Sequence, residues 1–507
     1  MKKTTLTILG GGTAGWLSAA ILAKGLPKDR FHICLVENPD MPSVGVGEAT
    51  IPPFTSLLKY LEIEESCFLK RLNGTFKYGI QFEDWSEIGS RYMHAFGKIG
   101  TPLKTPQDPH HCELPFTQAW LKSANTLKLN EVASYIPSAV AAQAGKFHPP
   151  VFPPKDADPQ HFYPLSLLFY AYQFDATQLV DLLKDYAIDH SIDHIEGMVC
   201  RVNNKRDGNI SSLSLGDGRK IFGDYFIDCS GFQSRLNKMH YRCQFDDWSN
   251  ELPCDSAIAV QTKRDTPAPA FTKSIAMGSG WRWQIPLRNR TGNGYVYASQ
   301  FISDEEALAE LKKTLTGHIF LTQPKILRFK TGCLKMPWFR NSIAIGLASG
   351  FMEPLESTSI HLIHKYALEL KDALLLGQEM PLEAQRFNHR FYQEATSIKD
   401  FLLAHYHVTN RTDTPFWQHC KNMPITQTLK TYLAEFARTG YITLPNDSLF
   451  PFQSWFQVLI GQGYLRDYSA FEDKQFDAKQ VEPFFNNVKL AIQSEVARLA
   501  LHQSYLE

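Results

Sequence analysis

The chain has 507 residues, room for two to four structural units at about 100–200 residues per domain, and its 44% hydrophobic and 21% charged residues are the usage of a folded globular protein. Lysine plus arginine and aspartate plus glutamate both number 52, so no sequence-independent attraction to a phosphate backbone is expected and a nucleic-acid scaffold is excluded. No apolar run reaches the roughly 18 residues of a membrane span, and the nine cysteines form no C-x-x-C pair, which argues against a zinc knuckle or a disulfide framework and for a metal-free protein of the reducing cytoplasm.

In chain order, Thr5 to Leu9 predicts a short buried strand, 10–15 a glycine turn, 14–24 a helix with Leu17, Ile21 and Leu22 on one face, and 31–36 a second strand. Strand, turn, helix and strand in the first 40 residues make a βαβ unit, which fixes a parallel sheet. The strand that follows Met1-Lys2-Lys3 also argues against a secretory signal. The Pro-rich 148–154 (HPPVFPP) reads as an irregular connection. Further strands are expected over 197–202, 221–229, 257–262, 294–300 and 342–345, and from Ser359 onward the spacing turns helical, over 360–376, 387–406 and 481–503. The expected fold is α/β with mixed sheets over 1–375, followed by a helix-rich module over 376–507.

Gly10-Gly11-Gly12-Thr13-Ala14-Gly15 satisfies G-x-G-x-x-G directly after a strand and at the opening of a helix. Glycine there permits the tight turn, lets backbone approach a pyrophosphate and aims the helix N-terminus at the anion. Glu37, 22 residues after Gly15, ends the next strand, where an acid accepts hydrogen bonds from a ribose. A dinucleotide is indicated, with FAD and NAD both open at this point. No second such motif follows a strand, so a separate nicotinamide domain is not expected, and the strand ending Asp228-Cys229-Ser230-Gly231 is of the kind through which FAD enzymes hold the ribitol and pyrophosphate.

Glu356-Ser357-Thr358-Ser359 precedes a helical run that stops at Gly377, which predicts hydroxyl N-caps and a glycine stop. The plain reading is a capped helix; the chemical one is that free N–H groups and the positive dipole end hold a small anion. Trp281 and Trp283 lie two residues apart, on one face of an extended segment, where core packing is the plain reading.

Taken together, GGGTAGW (10–16), GWRWQIP (280–286) and EPLESTSI (353–360) resemble the flavin-dependent halogenases of the tryptophan halogenase type, and so, in order, do VGVGEATIP, TFKYGIQF, YMHAFG, FDATQLVDLL, DCSGFQSRL, GYVYAS and RTDTPFW, over about residues 1–420. The resemblance implies an FAD-binding module and a two-component enzyme: a separate NAD(P)H-dependent flavin reductase supplies FADH2, dioxygen and chloride or bromide are consumed, and hypohalous acid travels to a lysine beside an aromatic substrate. By match of TFKYGIQF that lysine is Lys77, whose ammonium can polarise the oxidant or whose free amine can form a haloamine. Glu356 matches the glutamate that orients the oxidant or takes the ring proton. Thr358 and Ser359 match the halide-holding positions, with Ser359 standing where many relatives have glycine. Trp281 and Trp283 match the pair that walls the flavin from the organic substrate. Gly10, Gly12, Thr13, Ala14, Gly15, Glu37, Glu48, Ala49, Val199 and Leu347 match FAD contacts, and His94 matches a histidine against the indole.

The chain departs from the family over 440–461 (GYITLPNDSLFPFQSWFQVLIG), which lacks the acidic, tryptophan-containing insert that closes over an amino acid. Phe452, Trp455 and Phe456 stand there as candidate stacking residues. The substrate expected is indole or an indole-bearing compound rather than free tryptophan. The alternatives are a flavin-dependent aromatic hydroxylase, against which the tryptophan pair and Lys77 with Glu356 argue, and a non-catalytic FAD-binding protein.

Overall fold

The computed structural model describes residues 2–40, 47–104, 113–129, 131–158, 161–264, 266–377, 380–465, 467–472 and 476–506; residues 44–46 of the VGVGEATIP segment lie outside them. By compactness the chain divides into two units, each assembled from three stretches: 1–74, 174–255 and 327–396 form the first, and 75–173, 256–326 and 397–507 the second. The change of pattern near residue 375 is therefore a change of local structure, not the place where the chain divides.

The first unit is built on a six-stranded sheet in the order Asp193–Glu196, Phe31–Glu37, Thr4–Leu9, Tyr225–Asp228, Ser342–Ala344 and Trp338–Phe339. Neighbours pair in parallel except the last two. The expected βαβ unit is present, with its helix at Thr13–Gly25 buried from Gly15 to Ala23. That helix is apolar on every side, so it packs between sheet and neighbouring helices rather than facing water. The expected strand over 221–229 is two strands, Lys220–Phe222 and Tyr225–Asp228, because Gly223 and Asp224 break the extended run. The first pairs within the antiparallel sheet of Val199–Asn204 and Ile210–Leu215, the second within the parallel sheet.

The second unit carries a mostly antiparallel sheet in which Ser256–Lys263, Arg290–Tyr297, Gly280–Pro286, Thr272–Met277, Gly79–Glu83 and Arg91–Ala95 follow one another. The strand expected over 294–300 runs earlier, over Arg290–Tyr297, and all eight of its residues are buried. Burial on both faces removes the alternation that sequence reading relies on. Helices Phe116–Leu127, Pro415–Asn422, Gln427–Thr439, Phe452–Gly461 and Glu482–Ala497, with the end of Met380–His407 from 397, complete this unit, so the expected richness in helices is present. Residues 148–154 have no regular structure, as expected. Among the described residues no helix is long and apolar enough to cross a membrane.

Candidate active site

In the first unit, Gly10 has φ +122°, and a Cβ there would come 2.3 Å from the carbonyl oxygen of Cys229. One on Gly15 would come 1.8 Å from the oxygen of Gly10, and one on Gly11 would strike the Glu37 carboxylate. Three glycines are thus demanded by the protein's own packing. Gly12 is different, because a Cβ there would meet nothing within 4 Å. Gly12 is also the N-cap of Thr13–Gly25, and neither a side-chain hydrogen bond nor a first-turn acid covers that helix end. An open glycine facing an uncapped helix N-terminus fits a pyrophosphate.

Of the other expected contacts, Glu37 and Leu347 lie at this turn. Glu37 ends its strand with Oε1 2.8 Å from Lys184 Nζ and 2.6 Å from His194 Nε2. Burial pushes its carboxyl up, but Lys184 and His194 outweigh burial and hold it below the ordinary value. Glu48 and Ala49 lie in the short strand Gly47–Ala49. The Glu48 carboxyl is sunk among protein atoms although the residue keeps some open surface, and desolvation raises its pKa to about 7. The 346–348 turn rests on the helix start, since a Cβ on Gly346 would fall 2.6 Å from that of Ala14, which places Leu347, 38% exposed, next to the glycine turn. The Val199 side chain belongs to a core cluster with Leu9, Val36 and Phe226.

Glu356 ends the one-turn helix Pro354–Glu356 and is 1% exposed. Ser357 takes a left-handed conformation, φ +59°, which turns the chain into the helix Ser359–Leu376. The glycine stop is present, Gly377 at φ +62° with its N–H on the Ala373 oxygen, but the hydroxyl cap is not, because no side chain caps the N-terminus at Thr358. Thr358 itself is in a helical conformation, and its hydroxyl does not cap the first-turn N–H groups.

The second unit holds Lys77, at the end of the strand Thr75–Lys77 and 0% exposed. Its Nζ stands 5.3 Å from the centroid of Phe96, a cation–π contact worth about 0.5–2 kcal/mol. The lysine's neighbours are fixed by named bonds. The Thr75 hydroxyl donates to the Pro286 carbonyl at 2.7 Å, which ties this strand to the end of Gly280–Pro286. The Gln173 amide donates to the Phe76 carbonyl at 3.2 Å, and the Tyr78 N–H to the Ala270 carbonyl at 2.7 Å. Trp281 and Trp283 share a face of Gly280–Pro286 as expected, their rings 6.4 Å apart edge to face. Opposite Trp283 stands Gly294, where a Cβ would lie 1.9 Å from the indole, so only glycine leaves the ring its place.

His94 pairs with Ile80 in the strand Arg91–Ala95 and is buried. Its ring meets Phe401 edge-on at 5.7 Å and Phe450 at 6.3 Å; Phe401 stacks on Phe450 at 4.0 Å and meets Trp455 at 5.0 Å. The structure thus joins two of the four expected substrate residues, His94 and Trp455, through two that sequence reading missed. Phe452 and Phe456 go elsewhere, to a cluster with Phe436, in which Phe452 touches Tyr441 and Phe456 touches Trp120. The three positions, i, i+3 and i+4 of one helix, lie along one side of it, and the separation comes from the rings packed there: Phe401 and Tyr432 meet Trp455, whereas Phe436 meets Phe452 and Phe456. Phe450 could have been found from its position just before Pro451, whereas nothing in the helical run around Phe401 distinguishes it from core.

A model of the tryptophan halogenase family matches residues 5–475. The tryptophan 7-halogenase RebH of Lentzea aerocolonigenes is 33% identical over 442 residues, 83% of this chain and 79% of that protein. A flavin-dependent halogenase from Xanthomonas campestris superposes with a TM-score of 0.90 at 34% identity, over 100% of this chain and 98% of that one. BrvH, a flavin-dependent halogenase from Brevundimonas sp. BAL3, gives 0.90 at 34% identity over 100% and 99%.

Proposed function

Since the chain belongs to the tryptophan halogenase family and is a flavin-dependent halogenase, we propose that it halogenates indole or an indole-bearing compound in preference to free tryptophan, at Lys77. Bound FADH2 would supply the conversion of dioxygen, halide and a proton into hypohalous acid and water. The first unit's residues serve that half. Gly12 and the uncapped start of Thr13–Gly25 take the pyrophosphate, Glu37 a ribose, Leu347 the flavin side, and Thr358 and Ser359 the halide. Chloride and bromide are both candidates.

Lys77 then holds the oxidant by donating a hydrogen bond to its oxygen. The aromatic carbon takes the halogen, the oxygen leaves as water on gaining a proton, and the ring loses its proton to a carboxylate, for which the family resemblance supplies Glu356. Trp281 and Trp283 keep the flavin side apart from the organic substrate, which favours halogenation over hydroxylation.

The observation that carries the substrate reading is the company Lys77 keeps within its own unit. Its ammonium lies on Phe96, two residues after His94 in the chain, and the His94 ring meets Phe401 and Phe450, with Trp455 behind Phe401. A ring entering beside Lys77 would meet aromatic side chains that are themselves buried, His94 at 3% and Trp455 at 1%. Asp400, the residue before Phe401, is buried and accepts the Thr426 hydroxyl at 2.5 Å, and an amino-acid ammonium buried without a partner costs several kcal/mol. The test is mass spectrometry of products from indole and from L-tryptophan with bromide, FAD, NADH and a flavin reductase. Halide-dependent bromoindole supports the reading, and hydroxylated product or none overturns it. Omitting the reductase should abolish product; rapid bleaching of bound FAD by NADH alone would contradict the two-component scheme.

A further inference from the structure

We propose that His502, far from Lys77 in sequence, is a positioning residue that holds the strand Thr75–Lys77 in the register the lysine needs. The inference rests on the reading of Lys77 as the residue that presents the oxidant.

His502 opens the one-turn helix His502–Tyr505 and is 1% exposed. Its Nδ1 lies 2.9 Å from the carbonyl oxygen of Ala268, and its Nε2 lies 3.3 Å from the main-chain nitrogen of Phe76. A carbonyl only accepts and an N–H only donates, so one tautomer satisfies both contacts: Nδ1–H donates to Ala268, and bare Nε2 accepts the Phe76 N–H. A protonated ring would have no lone pair for Phe76. Burial, aided by the Arg288 charge and opposed by the Ala268 bond, lowers the His502 pKa to about 4, so the ring keeps its acceptor at working pH.

The anchor is itself anchored. The His502 N–H donates to the Gly145 carbonyl at 2.8 Å, Phe147 N–H donates to the Ala500 carbonyl at 3.1 Å, and Lys146 Nζ donates to the Ala497 and Leu499 carbonyls at 2.8 and 2.6 Å. The Arg288 guanidinium donates to the Tyr505 carbonyl at 3.0 Å. Phe76 is stacked on Phe147 at 3.7 Å, and Tyr505 meets both rings edge-on. The residue before the lysine therefore has its N–H, its carbonyl and its ring each assigned a partner. A three-residue strand has too little ladder of its own to fix a side chain, and a displacement of about 1 Å in a reacting group costs on the order of 100-fold in rate. Such a strand needs the support that the 497–505 segment gives.

His502→Phe keeps a ring against Phe76 and Phe147 and removes both hydrogen bonds, whereas His502→Gln keeps a donor and an acceptor. Both are compared with Lys77→Ala in the bromide, FAD and reductase assay on indole, with dioxygen consumed, brominated product and hypobromous acid caught by an added scavenger all measured. His502→Phe should consume dioxygen at the wild-type rate, give at least about tenfold less product per dioxygen, and release the difference as trapped hypobromous acid. His502→Gln should return product per dioxygen to within about twofold of wild type. A merely structural role would lower the melting temperature and the amount of active enzyme without moving that ratio. An unchanged ratio in His502→Phe, with Lys77→Ala inactive, overturns the proposal and leaves the lysine's role standing. Should His502→Phe fail to fold, a tenfold loss of the ratio in His502→Gln at the wild-type melting temperature overturns it equally. Full product from Lys77→Ala overturns the reading of the lysine and this proposal with it.

Discussion

The two units carry their candidate functional groups on different material. In the first, the chemistry sits on main chain: a glycine turn whose packing admits no side chain at Gly10, Gly11 or Gly15, and the uncapped starts of the helices Thr13–Gly25 and Ser359–Leu376. In the second it sits on side chains gathered from distant stretches, with Lys77, His94, Trp281, Phe401, Trp455 and His502 drawn from all three of that unit's segments. Main-chain sites suit anions, because N–H groups and helix dipoles attract phosphate and halide without a cation. Side-chain sites suit a flat ring, which is recognised by area and edge contacts. Glu356, a first-unit carboxylate given the ring proton by the family resemblance, is the exception to this division.

The sharpest way to separate the two units' contributions is Lys77→Ala, which alters only the second. We expect unchanged FAD affinity and dioxygen consumption with a loss of halogenated product of about 10²–10⁴-fold, the span seen when a positioned proton-transfer group is removed. Product at the wild-type rate would break the comparison.

The converse is Gly12→Val. Gly12 has φ −85° and ψ −172°, an extended conformation that valine adopts readily, and its Cβ would touch no protein atom. Stability should hold while the Kd for FAD rises at least about tenfold, or about 1.4 kcal/mol, because the new methyls occupy the pyrophosphate's space. Gly10→Val should instead destabilise the unit itself through Cys229. Loss of stability in Gly12→Val, or FAD binding at the wild-type Kd, would show that this glycine does not face the cofactor.

The same contrast governs what was legible in the sequence. The turn at 10–15, Glu37 and the parallel pairing of the first two strands follow from spacing, because a main-chain site leaves its mark as glycines at fixed intervals. The missing hydroxyl cap at Thr358 did not follow, since Ser357 at φ +59° redirects the chain just before the helix and that choice leaves no pattern. In the second unit, Lys77 in a short strand looks like any solvated lysine, and only resemblance to a family singled it out. Phe401 and His502 bear no local signal, for they matter through what separate stretches of chain bring to them. Phe452 and Phe456 share a helix side with Trp455, and what separates them is the tertiary partner, Phe436, which no local pattern announces.

The ring-binding half is tested by substrate choice. With a ring-binding group made of aromatic side chains, kcat/KM for indole should exceed that for L-tryptophan by at least about tenfold, the equivalent of about 1.4 kcal/mol. Attack should fall at C3, the ring's most electron-rich carbon, since a site of apolar ring contacts imposes little orientation of its own. A single benzo-ring regioisomer from tryptophan, with the larger kcat/KM, would mean that a polar amino-acid pocket exists in the second unit after all.

The smallest expected effect concerns the first unit, where a main-chain site leaves one carboxyl poorly served. Glu48 has its pKa raised from the usual carboxylate range to about 7 by desolvation. In the unfolded chain it ionises near 4.5, so between about pH 4.5 and 7 the folded protein binds the extra proton. Stability then falls as pH rises through that window, and is fully retained only below it. Because the side chain keeps some open surface, the loss should be on the order of 1–2 kcal/mol rather than the full value of the shift. Glu48→Gln carries no proton to lose, so its melting temperature should match wild type at pH 5 and exceed it at pH 8. Parallel pH profiles for the two proteins would mean that the ionised Glu48 has a partner, and that the first unit, like the second, relies on side chains to hold its charge.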